Sequence, residues 1–260
     1  MSERLPVRPF DDVRRALAPG NFEADEAGRP SIRSDSGRRL RTGTPEIVYG
    51  AGKTPRQVVT ALLQLAQTTG RAIASRCDSA TLAAVEDLQG EEWLVDVDQS
   101  SGVAVVASRS SSAPAPIGLI GIIAAGTSDL PVAREAELVA REIGCGTRLV
   151  VDVGVAGLHR LVRPLEDLVQ DAAGVLVVVA GMDGALPSVV AGLVRVPVIG
   201  VPTSTGYGFG GDGTAALMTM IQSCAPGLTV VNIDNGVGAA IAASRIVHAS
   251  HWPGDRSETR

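Results

Sequence analysis

Lysine is almost missing from this 260-residue chain: 22 of its 23 basic side chains are arginine, and Lys53 is the exception. Codon bias toward arginine accounts for the general pattern but not for the survivor. A compact ammonium differs from a planar guanidinium in reach and hydration, so position 53 becomes a candidate for function. Aromatic residues are scarce as well, at 3%. Valine, alanine, leucine and isoleucine must fill the core, a mixture suited to parallel strands buried on both faces. An excess of positive charge is absent, since the formal net charge is -5. That argues against a nucleic-acid partner, for which a basic domain is expected. No apolar stretch approaches the roughly 18 residues of a membrane span; the longest, 117–126 and 172–182, are strand-length. The opening MSERLPVRPF lacks the apolar core of a secretory signal. Cys77, Cys145 and Cys224 are widely spaced and form no CxxC. Together these absences predict a cytoplasmic protein with reduced thiols, no membrane partner and no structural disulfide or zinc site.

What is present divides along the chain. Residues 1–44 are polar, Pro/Gly-rich and without periodicity beyond a short helix around 11–17, and read as a mobile or loosely docked arm. A small α+β module follows at 45–107. In it Thr54, Pro55 and Gln57 make a capping box, Gly70 closes the helix, and a second helix starts after Asp78. Residues 93–97 and 103–107 alternate like strands. SRSSSAPAP (108–116) reads as a linker. Five strand-plus-helix repeats then run through 117–248, with strands near 117–124, 148–152, 175–180, 197–201 and 229–233 and helices near 130–144, 157–170, 185–194, 213–223 and 237–248. This is the signature of a doubly wound parallel sheet. Residues 249–260 form a charged tail.

Each of the five strands ends in a loop of glycine and small polar residues: GTSD (126–129), DVGVAGLHR (152–160), AGMDGALPS (180–188), VPTSTGYGFGG (201–211) and NIDNG (232–236). Ligands of open parallel α/β sheets bind outside the carboxyl ends of the strands, where these loops gather. In the first loop Gly126 permits a tight turn, and Thr127, Ser128 and Asp129 precede a periodic helix. Either Ser128 or Asp129 can cap that helix, while its free N–H groups suit an anionic oxygen. Two other motifs are weaker. GAGKT (50–54) resembles the end of a P-loop, but GxxxxGK[ST] needs glycine at position 47, which is Ile, and no suitable strand precedes it. Gly208, Gly210 and Gly213 fit GxGxxG with Asp234 near the ribose-binding spacing, yet they lie in the fourth unit behind a long PTSTGY loop; a loop closing over ligand fits them better.

Taken in order, GTSDLPVA, DVGVAGLHR, GMDGALPSVVAGL, PVIGVPTSTGYG, SCAPG (223–227) and VVNIDNG, with PEIVYGAGKTP (45–55) before them, resemble the LarB family of nickel-pincer nucleotide cofactor synthesis over roughly residues 40–248. The catalytic half is in turn similar to the carboxylase and mutase of aminoimidazole ribonucleotide. The resemblance implies a flavodoxin-like doubly wound parallel five-stranded sheet behind a small α+β module. It also implies a reaction: carboxylation of nicotinic acid adenine dinucleotide at pyridinium carbon 5 with carbon dioxide or bicarbonate, and hydrolysis of the phosphoanhydride. Pyridinium-3,5-biscarboxylic acid mononucleotide and AMP are then the products. An electron-poor pyridinium does not attack carbon dioxide, whereas a thiolate adduct of it is an enamine that does.

Cys224 matches the family's catalytic cysteine, though free cysteines are commonly small core residues. His159 matches a general acid/base position of the purine enzymes, where LHR replaces their usual alanine before histidine; a positioning role stands beside that one. Asp183 is open to taking the ring proton, holding magnesium, contacting ribose or shaping a turn. The rest of the implied pocket is Gly126, Thr127, Ser128, Asp129, Gly154, Gly181, Met182, Gly184, Pro202, Thr203, Ser204, Gly206, Tyr207, Asn232, Asp234 and Asn235, with Lys53 closing the site or binding phosphate. No tightly bound cofactor is expected beyond magnesium arriving with the substrate. The family implies a homo-oligomer, an octamer. Two other functions stay open: an aminoimidazole ribonucleotide carboxylase or mutase, which needs no thiol and no N-terminal module, and a non-catalytic nucleotide-binding module.

Overall fold

A computed structural model describes residues 32–251. The helix expected at 11–17, most of the arm and the end of the tail lie outside the described residues. The last part of the arm forms helix α1 (Arg38–Thr42), which Gly43 ends at φ 75°. An Arg41–Asp35 ion pair braces it, and Arg245 from the far end of the chain donates to the Thr42 carbonyl at 3.1 Å.

Strand β1 (Ile47–Tyr49) comes next, and helix α2 (Pro55–Thr69) follows for the reasons legible in its sequence. Gln57 N–H donates to Thr54 Oγ1 at 3.3 Å, the Gln57 side-chain Oε1 accepts from Thr54 N–H at 2.9 Å, and Gly70 closes the helix at φ 82°. Strand β2 (Arg71–Ser75) leads to helix α3 (Ser79–Glu86), capped by Asp78, and to the hairpin of β3 (Trp93–Asp98) and β4 (Val103–Ser108). The sheet order is β1-β2-β4-β3, with β1 parallel to β2 and the other pairs antiparallel. A strand therefore does run directly into GAGKT, contrary to the sequence reading. The rest of a P-loop is still missing: Lys53 N–H closes a tight turn on the Gly50 carbonyl, and Lys53 Nζ folds back onto the Tyr49 carbonyl at 2.7 Å.

Beyond an irregular connector, Ile117 N–H is seated on the Gly144 carbonyl and the parallel sheet begins. Its strands are β5 (Leu119–Ala124), β6 (Gly146–Val151), β7 (Val175–Ala180), β8 (Val198–Pro202) and β9 (Leu228–Val230). They are all parallel, in the order β6-β5-β7-β8-β9. This is the flavodoxin-like doubly wound sheet, and its winding reverses between β5 and β7, so a crevice opens there at the carboxyl edge. Helices α4 (Leu130–Ile143) and α8 (Gly236–His251) cover one face. The other face carries α5 (His159–Gln170), α6 (Leu186–Ala191) and α7 (Thr214–Ile221). No helix among the described residues is long and apolar enough to cross a membrane.

The N-terminal unit docks on the α4 face, where Ile73, Val103 and Val105 join the same apolar cluster as Ala133, Val139 and Ile122. Polar links frame this joint. Arg71 forks onto Glu142 at 2.9 and 2.7 Å, and Arg134 reaches Asp98. The central link is Glu135, only 2% exposed, whose carboxylate accepts from Ser75 Oγ at 2.6 Å, Arg76 Nε at 3.1 Å and Val237 N–H at 3.3 Å. Removing one partner of a buried charge pair strands the other, at about 3–5 kcal/mol, whereas an exposed pair contributes under about 1 kcal/mol. Urea denaturation should therefore show Arg76→Ala, which strands the buried Glu135, clearly destabilised, and Glu135→Ala less so, because the arginine it leaves is 38% exposed to water. Arg163→Ala, which loses a pair whose arginine is 77% exposed, should stay near wild type.

Candidate active site

The carboxyl edge is a set of loops tied to one another by named hydrogen bonds. Asp129, 4% exposed, accepts Gly126 N–H at 2.9 Å with one oxygen and Thr203 Oγ1 at 2.6 Å with the other. It does not cap α4, one of the roles the sequence allowed it; its carboxylate locks the loop after β5 to the loop after β8. Thr205 adds two further ties, its hydroxyl to the Ser128 carbonyl and its own carbonyl to Met182 N–H at 2.8 Å. Ser204 N–H donates to Asp234 Oδ1, and Asp234 N–H to the Pro202 carbonyl, both at 2.8 Å. Gly181 is required here: a Cβ would stand 2.3 Å from the Thr205 carbonyl oxygen. Gly184, at φ 62°, would meet the Ala216 backbone at 2.6 Å.

These ties frame a cleft of about 480 Å³ at the switch between β5 and β7. Of the residues singled out from the sequence, Gly126, Ser128, Asp129, Gly154, Gly181, Met182 and Asp183 line it. Asp183 is exposed, and its carboxylate accepts the Ala185 N–H at 3.3 Å in a turn. Two lining residues with polar side chains, Arg160 and Thr205, escaped the sequence reading. Arg160, ion-paired with Asp152 at 2.6 Å, is the cation in the cleft wall. Its neighbour His159 opens α5 on the exposed rim. The signal is the GLHR motif itself, which sets the arginine directly after the histidine. Thr203 is buried in the loop lock rather than presented to the cleft, while Thr127, Gly206 and Tyr207 are exposed. The 208–213 glycines form tight helical turns broken by non-helical residues 210–212, with Phe209 fully exposed. This is not the strand-to-helix phosphate turn of a dinucleotide fold.

Five expected residues stand apart. Asn232, Asp234 and Asn235 line a second cleft of about 420 Å³ with Tyr49, Arg76 and Glu135. Lys53 lines a third of about 600 Å³ with Cys77, Asp78 and Ser101. Cys224 lies in the turn between α7 and β9, three residues before Gly227, whose carbonyl accepts the N–H of Val198 at the start of β8. It is therefore at the amino edge of the sheet, a full strand length from the carboxyl-edge cleft of its own chain. The thiols nevertheless divide clearly, for Cys224 is exposed and Cys77 and Cys145 are buried. Burial, and then the neighbouring Asp78 charge, push the Cys77 thiol up from 9.0 to about 11, and burial raises Cys145 as well. No cluster of three metal-ligating side chains occurs among the described residues.

Residues 119–253 match the family model described as AIR carboxylase, and residues 28–106 match the LarB/PurE-like N-terminal domain. An uncharacterised protein of Methanocaldococcus jannaschii is 37% identical over 249 residues, 93% of each chain. The N5-carboxyaminoimidazole ribonucleotide mutase of the same organism is 37% identical over 132 residues, covering 50% of this chain and 78% of the mutase. A phosphoribosylaminoimidazole carboxylase of Saccharomyces cerevisiae is 33% identical over 135 residues, 50% of this chain and 23% of the yeast protein. Fold, cleft and likeness together define a lyase-type carboxylase of the AIR carboxylase and mutase kind. The chain belongs to the LarB-like family, in which that catalytic domain follows a distinct N-terminal domain.

Thiol exposure leads to a direct measurement. Iodoacetamide at pH 8 should alkylate Cys224 of the native protein well before Cys77 and Cys145, as read by peptide mass spectrometry. Because the Cys77 value is raised on folding, its burial is stabilising below pH 9 and that contribution fades as pH climbs through about 11. Denaturation midpoints should fall across that window, and less so in Cys77→Ser.

Proposed function

We propose that this protein carboxylates the pyridinium ring of nicotinic acid adenine dinucleotide at ring carbon 5 and hydrolyses its phosphoanhydride, releasing pyridinium-3,5-biscarboxylic acid mononucleotide and AMP. The observation that carries the reading is Cys224, the exposed thiol in a chain whose other two cysteines are buried with raised pKa. Carboxylation of the electron-rich aminoimidazole ring needs no such group. A pyridinium needs one.

The Cys224 thiolate forms a C–S bond to a ring carbon adjacent to carbon 5, and the displaced π electrons settle on the ring nitrogen, giving a neutral enamine. Carbon 5 then attacks carbon dioxide. A base removes the proton from carbon 5, the C–S bond breaks, and thiolate and aromatic pyridinium return. Water attacks a phosphorus of the anhydride, and AMP leaves. Asp183 is the exposed carboxylate of the carboxyl-edge cleft and suits the proton-accepting role. Arg160 suits the carboxylate or phosphate, as do backbone N–H groups of the 126–129 turn. His159, on the rim, suits proton transfer to the leaving phosphate. Magnesium, where present, would travel on the substrate's phosphates.

Since Cys224 sits at the opposite edge of the sheet from that cleft, the reading requires a homo-oligomer in which the thiol of one copy reaches the cleft of another. Solvent-exposed Val162 and Val169 of α5 and Met218 and Ile221 of α7 offer apolar surface for such contacts. Identity to the ribonucleotide mutases favours a second reading, carboxylation of aminoimidazole ribonucleotide.

Purified protein with nicotinic acid adenine dinucleotide and labelled bicarbonate should release AMP and incorporate label. Cys224→Ala should lower turnover by at least about a thousandfold, the scale of removing a covalent nucleophile. Full activity in that variant would end the thiol mechanism, and label appearing only with aminoimidazole ribonucleotide would transfer the assignment to the second reading. Mixing Cys224→Ala with Asp183→Asn should restore part of the activity through hybrid assemblies, and light scattering should find more than one copy per particle.

A further inference from the structure

The cleft of about 420 Å³ is built by both units of the chain and has no part in the chemistry derived above. From the N-terminal unit come Arg38, Tyr49 and Arg76; from the loop after β9 come Asn232, Asp234 and Asn235. We propose that this cleft is the subsite for the adenylate half of the dinucleotide, so that the N-terminal unit serves to hold the leaving AMP. This deepens the function proposed above and rests on it for the identity of the whole substrate.

The two clefts are spaced for such a ligand. Along the sheet, β5 and β9 are three strand intervals apart, about 14 Å at the usual spacing. The loop after β8 bridges them, with Thr205 in the wall of the first cleft and the adjacent Ser204 N–H held by Asp234 in the wall of the second. A phosphoanhydride lying across that loop would leave a nucleoside on either side.

The chemistry of the second cleft also suits a purine nucleotide. Tyr49 is 59% exposed in a chain with few aromatics, with Lys53 Nζ 5.8 Å from its ring centroid, and the exposed ring suits stacking by a base. Charge in the cleft is mostly cancelled internally, because Arg76 is paired with Glu135 and also donates to the Asp234 carbonyl. Arg38 is exposed and pairs with no carboxylate among the described residues, which makes it the cation for a phosphate. Asn232 and Asn235 accept the Ile233 and Gly238 N–H groups on their side-chain Oδ1 atoms, and their NH2 groups donate to no protein acceptor among the described residues. Asp234 gives Oδ1 to Ser204 and keeps Oδ2 for a ribose hydroxyl.

The comparisons fit the same division. Alignment with the ribonucleotide mutase covers 78% of that protein but only half of this chain, leaving the mutase too little sequence for a counterpart of residues 28–106. A relative named for a single ribonucleotide thus manages without the unit that completes the second cleft.

Calorimetric titration of the full chain with AMP tests the assignment without requiring turnover. The wild-type protein should bind AMP, and the Arg38→Ala/Tyr49→Ala double variant should bind it at least about tenfold more weakly, the loss expected for a base stack and a phosphate contact. Nicotinic acid mononucleotide should bind both proteins equally. Asp183→Asn, in the other cleft, should retain AMP affinity and shows whether a loss is local. The proposal is overturned if AMP affinity is unchanged in the double variant, or falls as far in Asp183→Asn. If nicotinic acid adenine dinucleotide is not carboxylated while AMP binding still depends on Arg38 and Tyr49, the reaction assignment fails and the adenylate subsite stands.

Discussion

A carboxylate can stay charged inside a protein only if hydrogen bonds and a counter-charge replace the water it has lost, and Glu135 holds the two units of this chain together on that condition. Ser75 and Arg76 answer it from the N-terminal unit and Val237 from the start of α8, so three segments far apart in sequence meet at one group. Close packing makes the condition strict, since a Cβ on Gly236 would lie 2.7 Å from the same carboxylate. From that point order spreads outward. Arg76 adopts a left-handed backbone at φ 58° and passes its far end to the Asp234 carbonyl, tying the docking of the first unit to the loop after β9.

Asp234 hands the constraint on to Ser204, and Thr203 hands it to Asp129 beneath the first loop. The carboxyl edge is therefore a braced frame, in which polar side chains spend their hydrogen-bonding capacity on neighbouring loops. This explains why several residues with the chemistry to touch a ligand instead position the backbone. Asp129 and Thr203 are the clearest instances, both buried and bonded to each other. In the reading proposed above, what remains for ligand is carried by backbone N–H groups, Arg160 and Asp183 around one cleft, and by side chains of both units around the other.

Much of this was legible in the residues because period and punctuation are local. Apolar runs bounded by glycine disclosed the five βα units, and the Thr54 box and Gly70 marked α2 to the residue. Strands β1 and β2 were missed, for three and five residues are too few to show alternation, and β2 is buried from its second residue on. The Glu135–Arg76 pair, 59 positions apart, leaves no trace in any window of sequence. The placement of Cys224 had a visible clue of a different kind: a residue that follows a helix and precedes a parallel strand must lie at the amino edge. A motif names a residue type and its order in the chain, and only the direction of the strands says which rim it reaches.

Lysine's scarcity, first met as a matter of composition, acquires a chemical meaning once Lys53 is placed. Its ammonium is bonded to the Tyr49 carbonyl and lies near the Tyr49 ring, between the second and third clefts. Acylation, imine formation and isopeptide linkage all seek primary amines, and guanidinium groups do not answer to them. Every such modification of a side chain in this protein has a single address, and it lies where the two folded units face each other.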